Sequence, residues 1–181
     1  MSISYPKTRI RVLLVEDIHG AAQKHFDKEG YEVRKLPAGL SEDELIQELD
    51  GVTLLGIRSG TRITRRVLES TAKLKGIGAF CIGTNQIDLD ACSDRGIYVA
   101  NTPGQNALAV AELTIGLIVA LDRSMVNAAS DVRGGQWKKS HHARGALGLS
   151  GRTLAILGMG AIGEAVAWRA RGFGMEVRAW S

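Results

Sequence analysis

A chain of 181 residues, 45% of them hydrophobic and 23% charged, carries enough apolar material for one large folding unit or two small ones. Its 23 Lys and Arg against 19 Asp and Glu leave a net charge of +4, but the cations are scattered, so the expected partner is a small anionic molecule and not nucleic acid. Cys81 and Cys92 stand apart from any CxxC pair or His cluster, Met1 to Lys7 lack a signal-peptide core, and the longest apolar run is shorter than the roughly 20 residues of a membrane span; disulfide framework, zinc site and membrane are excluded, and a cytoplasmic location fits.

In chain order, Ile10 to Val15 is a β-branched apolar run and predicts a strand, followed by a helix over Gly20 to Glu29 that Gly30 closes. The same alternation repeats. Strands are expected at Tyr31 to Val33, Val52 to Ile57, Gly76 to Cys81 and Ile97 to Ala100. Helices are expected at Glu42 to Leu49, capped by Ser41 and closed by Gly51, at Thr64 to Lys73, and at Leu89 to Arg95, closed by Gly96. Apolar strands separated by single helices imply an α/β fold with a parallel sheet covered on both faces.

Past Ala100 the rhythm changes to turn chemistry, Asn101-Thr102-Pro103-Gly104-Gln105, which places a domain boundary between residues 100 and 101. Asn106 is expected to cap a helix from Ala107 to Leu121, whose composition predicts burial on most sides. Arg133 to Ser150, rich in glycine and charge, reads as an irregular connection.

The strand Thr153 to Leu157 runs directly into Gly158-Met159-Gly160-Ala161-Ile162-Gly163, then a helix to about Phe173 and a strand at Glu176 to Trp180. This is GxGxxG inside a βαβ unit. The first glycine allows a tight turn, the second admits a pyrophosphate to the backbone, and the third lets helix and strand approach, with the helix N–H groups of Ala161, Ile162 and Gly163 facing the phosphates. The alternative is a tight turn without a ligand. An acid that would hold the ribose hydroxyls of NAD is expected about 20 residues on. Ser181 occupies that position, and a neutral residue there leaves NADP open beside NAD.

Arg58 follows a strand at its carboxyl end, where open α/β sheets bind ligands, and its guanidinium fork suits a carboxylate or phosphate. A solvated loop arginine is the alternative. For Asn106 the helix cap is a sufficient explanation by itself.

Several stretches together resemble the phosphoglycerate dehydrogenases of the D-2-hydroxyacid dehydrogenase family. They are Leu13-Leu14-Val15-Glu16, Ile57-Arg58-Ser59-Gly60-Thr61, Ile77 to Asp90, Asn101-Thr102-Pro103 with Asn106, Val110-Ala111-Glu112-Leu113, Arg133-Gly134-Gly135 with Trp137, and Gly158 to Gly163. Within them Cys81-Ile82-Gly83-Thr84-Asn85-Gln86 is the most specific. The resemblance covers about Arg9 to Ser181. It implies a flavodoxin-like substrate domain (1–100) followed by the first βαβ unit of a Rossmann domain (101–181), and an NAD-dependent oxidation of 3-phosphoglycerate to 3-phosphohydroxypyruvate in serine biosynthesis. It further implies that Arg58 and Ser59 hold an anionic substrate, that Asn106 lies at a hinge, that Lys139 reaches an anionic ligand, and that the helix 107–121 forms a homo-oligomer. Gly60 stands where many relatives carry a second arginine or an alanine.

The family's catalytic arginine, acid and histidine lie downstream, and His19, His25, His141 and His142 have no matching context, so no catalytic residue is expected in this chain and turnover is not expected of it alone. Two other readings stay open: another 2-hydroxyacid dehydrogenase, of glyoxylate, hydroxypyruvate or lactate type, and a non-catalytic nucleotide-binding or corepressor-like module.

Overall fold

A computed structural model describes residues 6–181, so the reading of Met1 to Lys7 falls largely outside the described residues. The chain divides into two compact units, Met1–Pro103 and Gly104–Ser181.

In the first unit β1 (Arg11–Leu14), β2 (Glu32–Lys35), β3 (Leu54–Ile57), β4 (Gly76–Ala79) and β5 (Tyr98–Asn101) form one parallel sheet in the order β2-β1-β3-β4-β5. This is the flavodoxin-like order. Alternation along each strand sorts the core into two faces. Leu13, Val15, Leu55, Ile57, Ile77 and Ala79 point to one side, where α2 (Glu42–Glu48), α3 (Arg65–Ser70) and α4 (Leu89–Asp94) cover them with Leu45, Val67, Leu68, Ala91 and Cys92. Val12 and Leu14 point to the other, against Ala22 and Phe26 of α1 (Gly20–Lys28). Each buried Leu, Ile or Val adds about 1.5–3 kcal/mol of transfer free energy before chain entropy is set against it.

The helix ends follow their chemistry. Ser41 and Glu44 form a reciprocal capping box on α2, with Ser41 N donating to Glu44 Oε2 at 2.8 Å, and Gly30, Gly51 and Gly96 take positive φ where α1, α2 and α4 stop. Thr64 is the N-cap of α3, not its first residue, and the helix stops at Ser70, short of the expected Lys73, because Thr71 is already extended and Ser70 Oγ donates to Val67 O at 2.7 Å.

In the second unit β6 (Thr153–Leu157) and β7 (Glu176–Trp180) pair in parallel, joined by α8 (Ala161–Gly172). α5 (Ala107–Asp122) packs on α8 through the one-stripe pair Ala111 and Ile115, meeting Val166, Ala170 and Met175, and Ala107 on the same stripe is buried too. Here two expectations fail. α5 is not buried on most sides: Leu108, Leu113, Leu117 and Leu121 are 54–79% exposed, because its apolar composition runs all round while only one stripe has a partner. Nor does Asn106 cap it, since its φ of −101° and ψ of 2° do not aim the side chain at the helix N–H groups and no side-chain cap bond forms. The stretch Arg133 to Ser150 is also more ordered than expected. α6 (Met125–Arg133) runs into it and α7 (Lys139–Ala143) lies within it, tied to α6 by His142 Nε2 and Asp131 Oδ2 at 2.9 Å and by Lys138 Nζ and Asp131 Oδ1 at 3.2 Å. The unit boundary follows Pro103, three residues beyond the expected one, because β5 continues to Asn101.

Candidate functional site

At the carboxyl edge of the five-stranded sheet, β1, β2 and β3 end side by side and deliver Glu16, Asp17, Lys35 and Arg58 to one place. An open cavity of about 700 Å³ lies there, lined by Asp17, His19, Lys35, Arg58 and Phe80 among others. Lys35 Nζ is 2.9 Å from Asp17 Oδ1, and that hydrogen bond, followed by the Lys35 charge and then the nearby Arg58 and His19, holds the Asp17 carboxyl below its ordinary range. The Lys35 charge is thereby largely matched. Among the described residues the Arg58 guanidinium has no ion-pair partner: the bonds this residue makes run from its N–H to Glu16 and to its carbonyl from Gln86.

The backbone that carries Arg58 and Ser59 is held from two sides. Glu16 Oε1 accepts N–H bonds from Arg58 and Thr61, both at 2.9 Å, and Oε2 accepts one from Gly60 at 2.8 Å. Partial burial works to raise the pKa of Glu16, but the Gly60 N–H, the Thr61 side chain and then the N–H groups of Arg58 and Thr61 outweigh it and leave the carboxyl below the usual glutamate range. From the other side Gln86 Nε2 donates to Arg58 O at 3.1 Å and to Cys81 Sγ at 3.3 Å, while Ile63 N donates to Gln86 O at 2.8 Å. The Cys81 to Gln86 stretch is therefore the outer brace of the Arg58 loop.

His19 also reaches this cavity, as the N-cap of α1: its Nδ1 accepts from Ala21 N at 3.2 Å, which places the ring proton on Nε2. Both cysteines are free, and burial pushes the Cys92 thiol up. Sequence reasoning singled out Arg58, which lines this cavity, and Ser59 beside it on the same loop, but not Glu16, Lys35 or His19. Glu16 followed an apolar strand without any local sign of what its carboxylate would meet 42 to 45 residues later.

The second candidate lies wholly in the other unit. Gly158, φ +98°, turns the chain out of β6, its N–H donating to Trp180 O at 2.7 Å. A Cβ on Gly163 would stand 2.2 Å from Gly158 O, so only glycine lets α8 meet β6 there. A Cβ on Gly160 would meet nothing within 4 Å, so chain packing does not demand glycine at that position. Space over Gly160 is what a pyrophosphate requires, and α8 begins without a side-chain cap, leaving its first N–H groups to a ligand. Ala161 and Ile162 are exposed at this turn and Gly163 is buried. The register pairs Leu157 with Trp180, which puts Ser181 beside Gly158 at the strand tip, where the ribose-binding position was expected. The residues present fit the diphosphate of a dinucleotide.

Asn106 and Lys139 belong to this second unit, so the four expected substrate residues divide two and two. Asn106 is exposed, its side chain not spent on a cap. Lys139 opens α7 and lines a cavity of about 360 Å³ with Arg123, Trp137, Lys138 and His142. Among the described residues no group of three or more His, Cys, Asp or Glu could hold a metal ion, and no helix is long and apolar enough to cross a membrane.

A Schizosaccharomyces pombe protein, provisionally named D-3-phosphoglycerate dehydrogenase, is 43% identical over 168 residues, 93% of this chain and 36% of that protein. The D-3-phosphoglycerate dehydrogenase of Dictyostelium discoideum is 38% identical over 178 residues, 96% of this chain and 42% of its own. The crystal structure of TT0316 protein from Thermus thermophilus superposes with a TM-score of 0.87 at 37% identity, covering 94% of this chain and 55% of that one. The chain thus spans well under half the length of these curated relatives. Residues 12–176 match the family described as D-isomer specific 2-hydroxyacid dehydrogenase, catalytic domain, and with that match and the parallel fold, the chain belongs to the D-isomer specific 2-hydroxyacid dehydrogenase family.

Proposed function

We propose that the chain forms the substrate loop and the pyrophosphate turn of a nicotinamide-dependent dehydrogenase that oxidises 3-phosphoglycerate to 3-phosphohydroxypyruvate, with NAD as the hydride acceptor. The observation that carries the cofactor half is Gly160, a glycine that the chain's own packing does not need. The substrate half rests on Arg58, whose guanidinium at the carboxyl edge of a parallel sheet has no ion-pair partner among the described residues, and on the names of the relatives at 38–43% identity. A bound dinucleotide supplies the atom that takes the hydride from C2 of the substrate. The residues described here bind and orient: Arg58 and Ser59 the substrate anion, Ala161 to Gly163 the diphosphate through N–H groups, and Ser181 the ribose, where no carboxylate repels a 2′-phosphate. Asn106 and Lys139 are assigned to the substrate side. Proton transfer at the alcohol is assigned to no residue between 6 and 181, since His19, the imidazole on the cavity, is engaged as a helix cap. The chain by itself is expected to bind and not to turn over.

The exposed leucine stripe of α5, at positions 113, 117 and 121, supports association of two copies through this helix. Nothing in the charge pattern favours nucleic acid, and the setting proposed for the reaction is the cytoplasm.

Calorimetric titration tests the substrate reading. 3-Phosphoglycerate is expected to bind about tenfold or more tightly than D-lactate or glyoxylate, because it brings a phosphate to the Arg58 cavity as well as a carboxylate. Equal affinity for all three would overturn it in favour of another 2-hydroxyacid.

A further inference from the structure

Three N–H groups, those of Arg58, Gly60 and Thr61, converge on one point at 2.8–2.9 Å, and the group at that point is the carboxylate of Glu16. Convergent amides of this kind form an anion-binding concavity. Without an occupant the loop would carry three unpaired donors, and its anion partner would be whatever ligand reached it. Glu16 also holds a backbone conformation that non-glycine residues seldom adopt, φ +61°, followed by Asp17 at φ +47°. Two successive left-handed residues are a local cost, sustained only where other contacts fix them. The three N–H bonds, with Glu16 N donating to Ala38 O at 3.1 Å, are those contacts.

We propose that Glu16 is a positioning residue for the proposed substrate site: an anion built into the chain that fills the concavity of the Arg58 loop, fixes that loop, and so directs an incoming carboxylate or phosphate to the Arg58 side chain and away from the backbone. This rests on the reading of Arg58 as the substrate's anion holder. Glu16 itself makes no contact with the substrate in this role. Its neighbour Gly60 is part of the device, because a Cβ there would stand 3.0 Å from Glu16 Oε2, close enough that the carboxylate would have to give by a few tenths of an ångström. The concavity therefore matches the built-in anion closely, and any side chain at position 60 loosens that match.

The experiment replaces Glu16 and returns its charge from solution. In the Glu16→Gly variant, which relieves the left-handed strain and so keeps the chain able to fold, acetate in the millimolar range is expected to move the amide resonances of Arg58, Gly60 and Thr61 together, while in the parent protein acetate leaves them still. Glu16→Gln, which presents an NH2 group to N–H donors, is expected to weaken 3-phosphoglycerate binding about tenfold. In Glu16→Gly, acetate is expected to restore part of that affinity. Rescue by a small carboxylate is a result that a merely structural residue does not give. The amide response is read without substrate. A parent protein that ignores 3-phosphoglycerate therefore speaks against the substrate reading, while the acetate response still decides the role of Glu16. Amides that do not respond to acetate in Glu16→Gly, or unchanged 3-phosphoglycerate affinity in Glu16→Gln beside a parent that binds it, overturn the inference.

Discussion

Gly160 and Gly163 lie three residues apart in one turn, and a single alanine at each separates a ligand's requirement from the chain's. Gly160→Ala adds a methyl that touches no protein atom at a φ of −77°, so the melting temperature is expected to stay within a few degrees while dinucleotide affinity falls about tenfold, because the methyl takes the space of the pyrophosphate. Gly163→Ala drives a methyl to 2.2 Å from Gly158 O and is expected to cost about 1–3 kcal/mol of stability in thermal unfolding as well as the binding. If both variants bound NADH like the parent, the turn would be only a turn. Arg58→Lys keeps the charge but loses the fork, and titration with 3-phosphoglycerate is expected to show about a tenfold weaker Kd. These residues were legible because their meaning is local: a glycine pattern after a strand, an arginine at a strand's end. Glu16 and Lys35 were not, since each acquires its role from parallel neighbours that the sequence places tens of residues away.

Helix ends show the same division at the scale of elements. The Ser41 cap announces α2 in the sequence and the structure adds Glu44 to complete the capping box, and Ser41→Ala is expected to cost about 1 kcal/mol in urea unfolding, an unchanged midpoint counting against the capping box. Asn106 carried the same kind of signal and did not deliver it, because a residue type can offer a cap while the preceding turn, closed by Ala107 N donating to Gly104 O at 3.1 Å, aims it elsewhere. α6 and α7 were hidden by composition. Gly134 and Gly135 read as loop, yet α6 ends directly before them and α7 begins after them, held by the Asp131 carboxylate, whose hydrogen bonds to His142 and then Lys138 lower its pKa. α5 was found in place and length but not in surroundings, for periodicity cannot say how many sides of an apolar helix will find partners. Its exposed face makes a further prediction: replacing Leu113 and Leu117 together by glutamate is expected to leave the helix formed and convert a self-associating species to monomer in sedimentation, whereas a parent that is already monomeric would contradict the proposed interface.

For the whole molecule, the alternation of short apolar runs with helices implied a parallel sheet covered on both faces, while the order β2-β1-β3-β4-β5 was foreshadowed only by the flavodoxin-like form that the family resemblance implies, since right-handed crossovers alone allow several orders. Charge matters at this scale through pH. Glu16 keeps a lowered pKa against its own burial, so its contribution to stability is complete above the ordinary glutamate pKa and is lost as pH falls through the lowered value. Asp17, Lys35, Arg58 and His19 line the cavity beside this loop. The melting temperature is therefore expected to drop as pH falls below about 4.3, and Glu16→Gln is expected to flatten that part of the profile.

The turn from Gly158 to Gly163 is proposed to hold a nicotinamide dinucleotide. Titrating NADH and NADPH separately into the labelled protein and following the amide resonances of Gly158 to Glu164 addresses it without requiring turnover. Saturable shifts confined to those amides and Ser181, abolished in Gly160→Ala, are the predicted result; a folded protein whose turn resonances stay fixed at millimolar concentrations of both would contradict it.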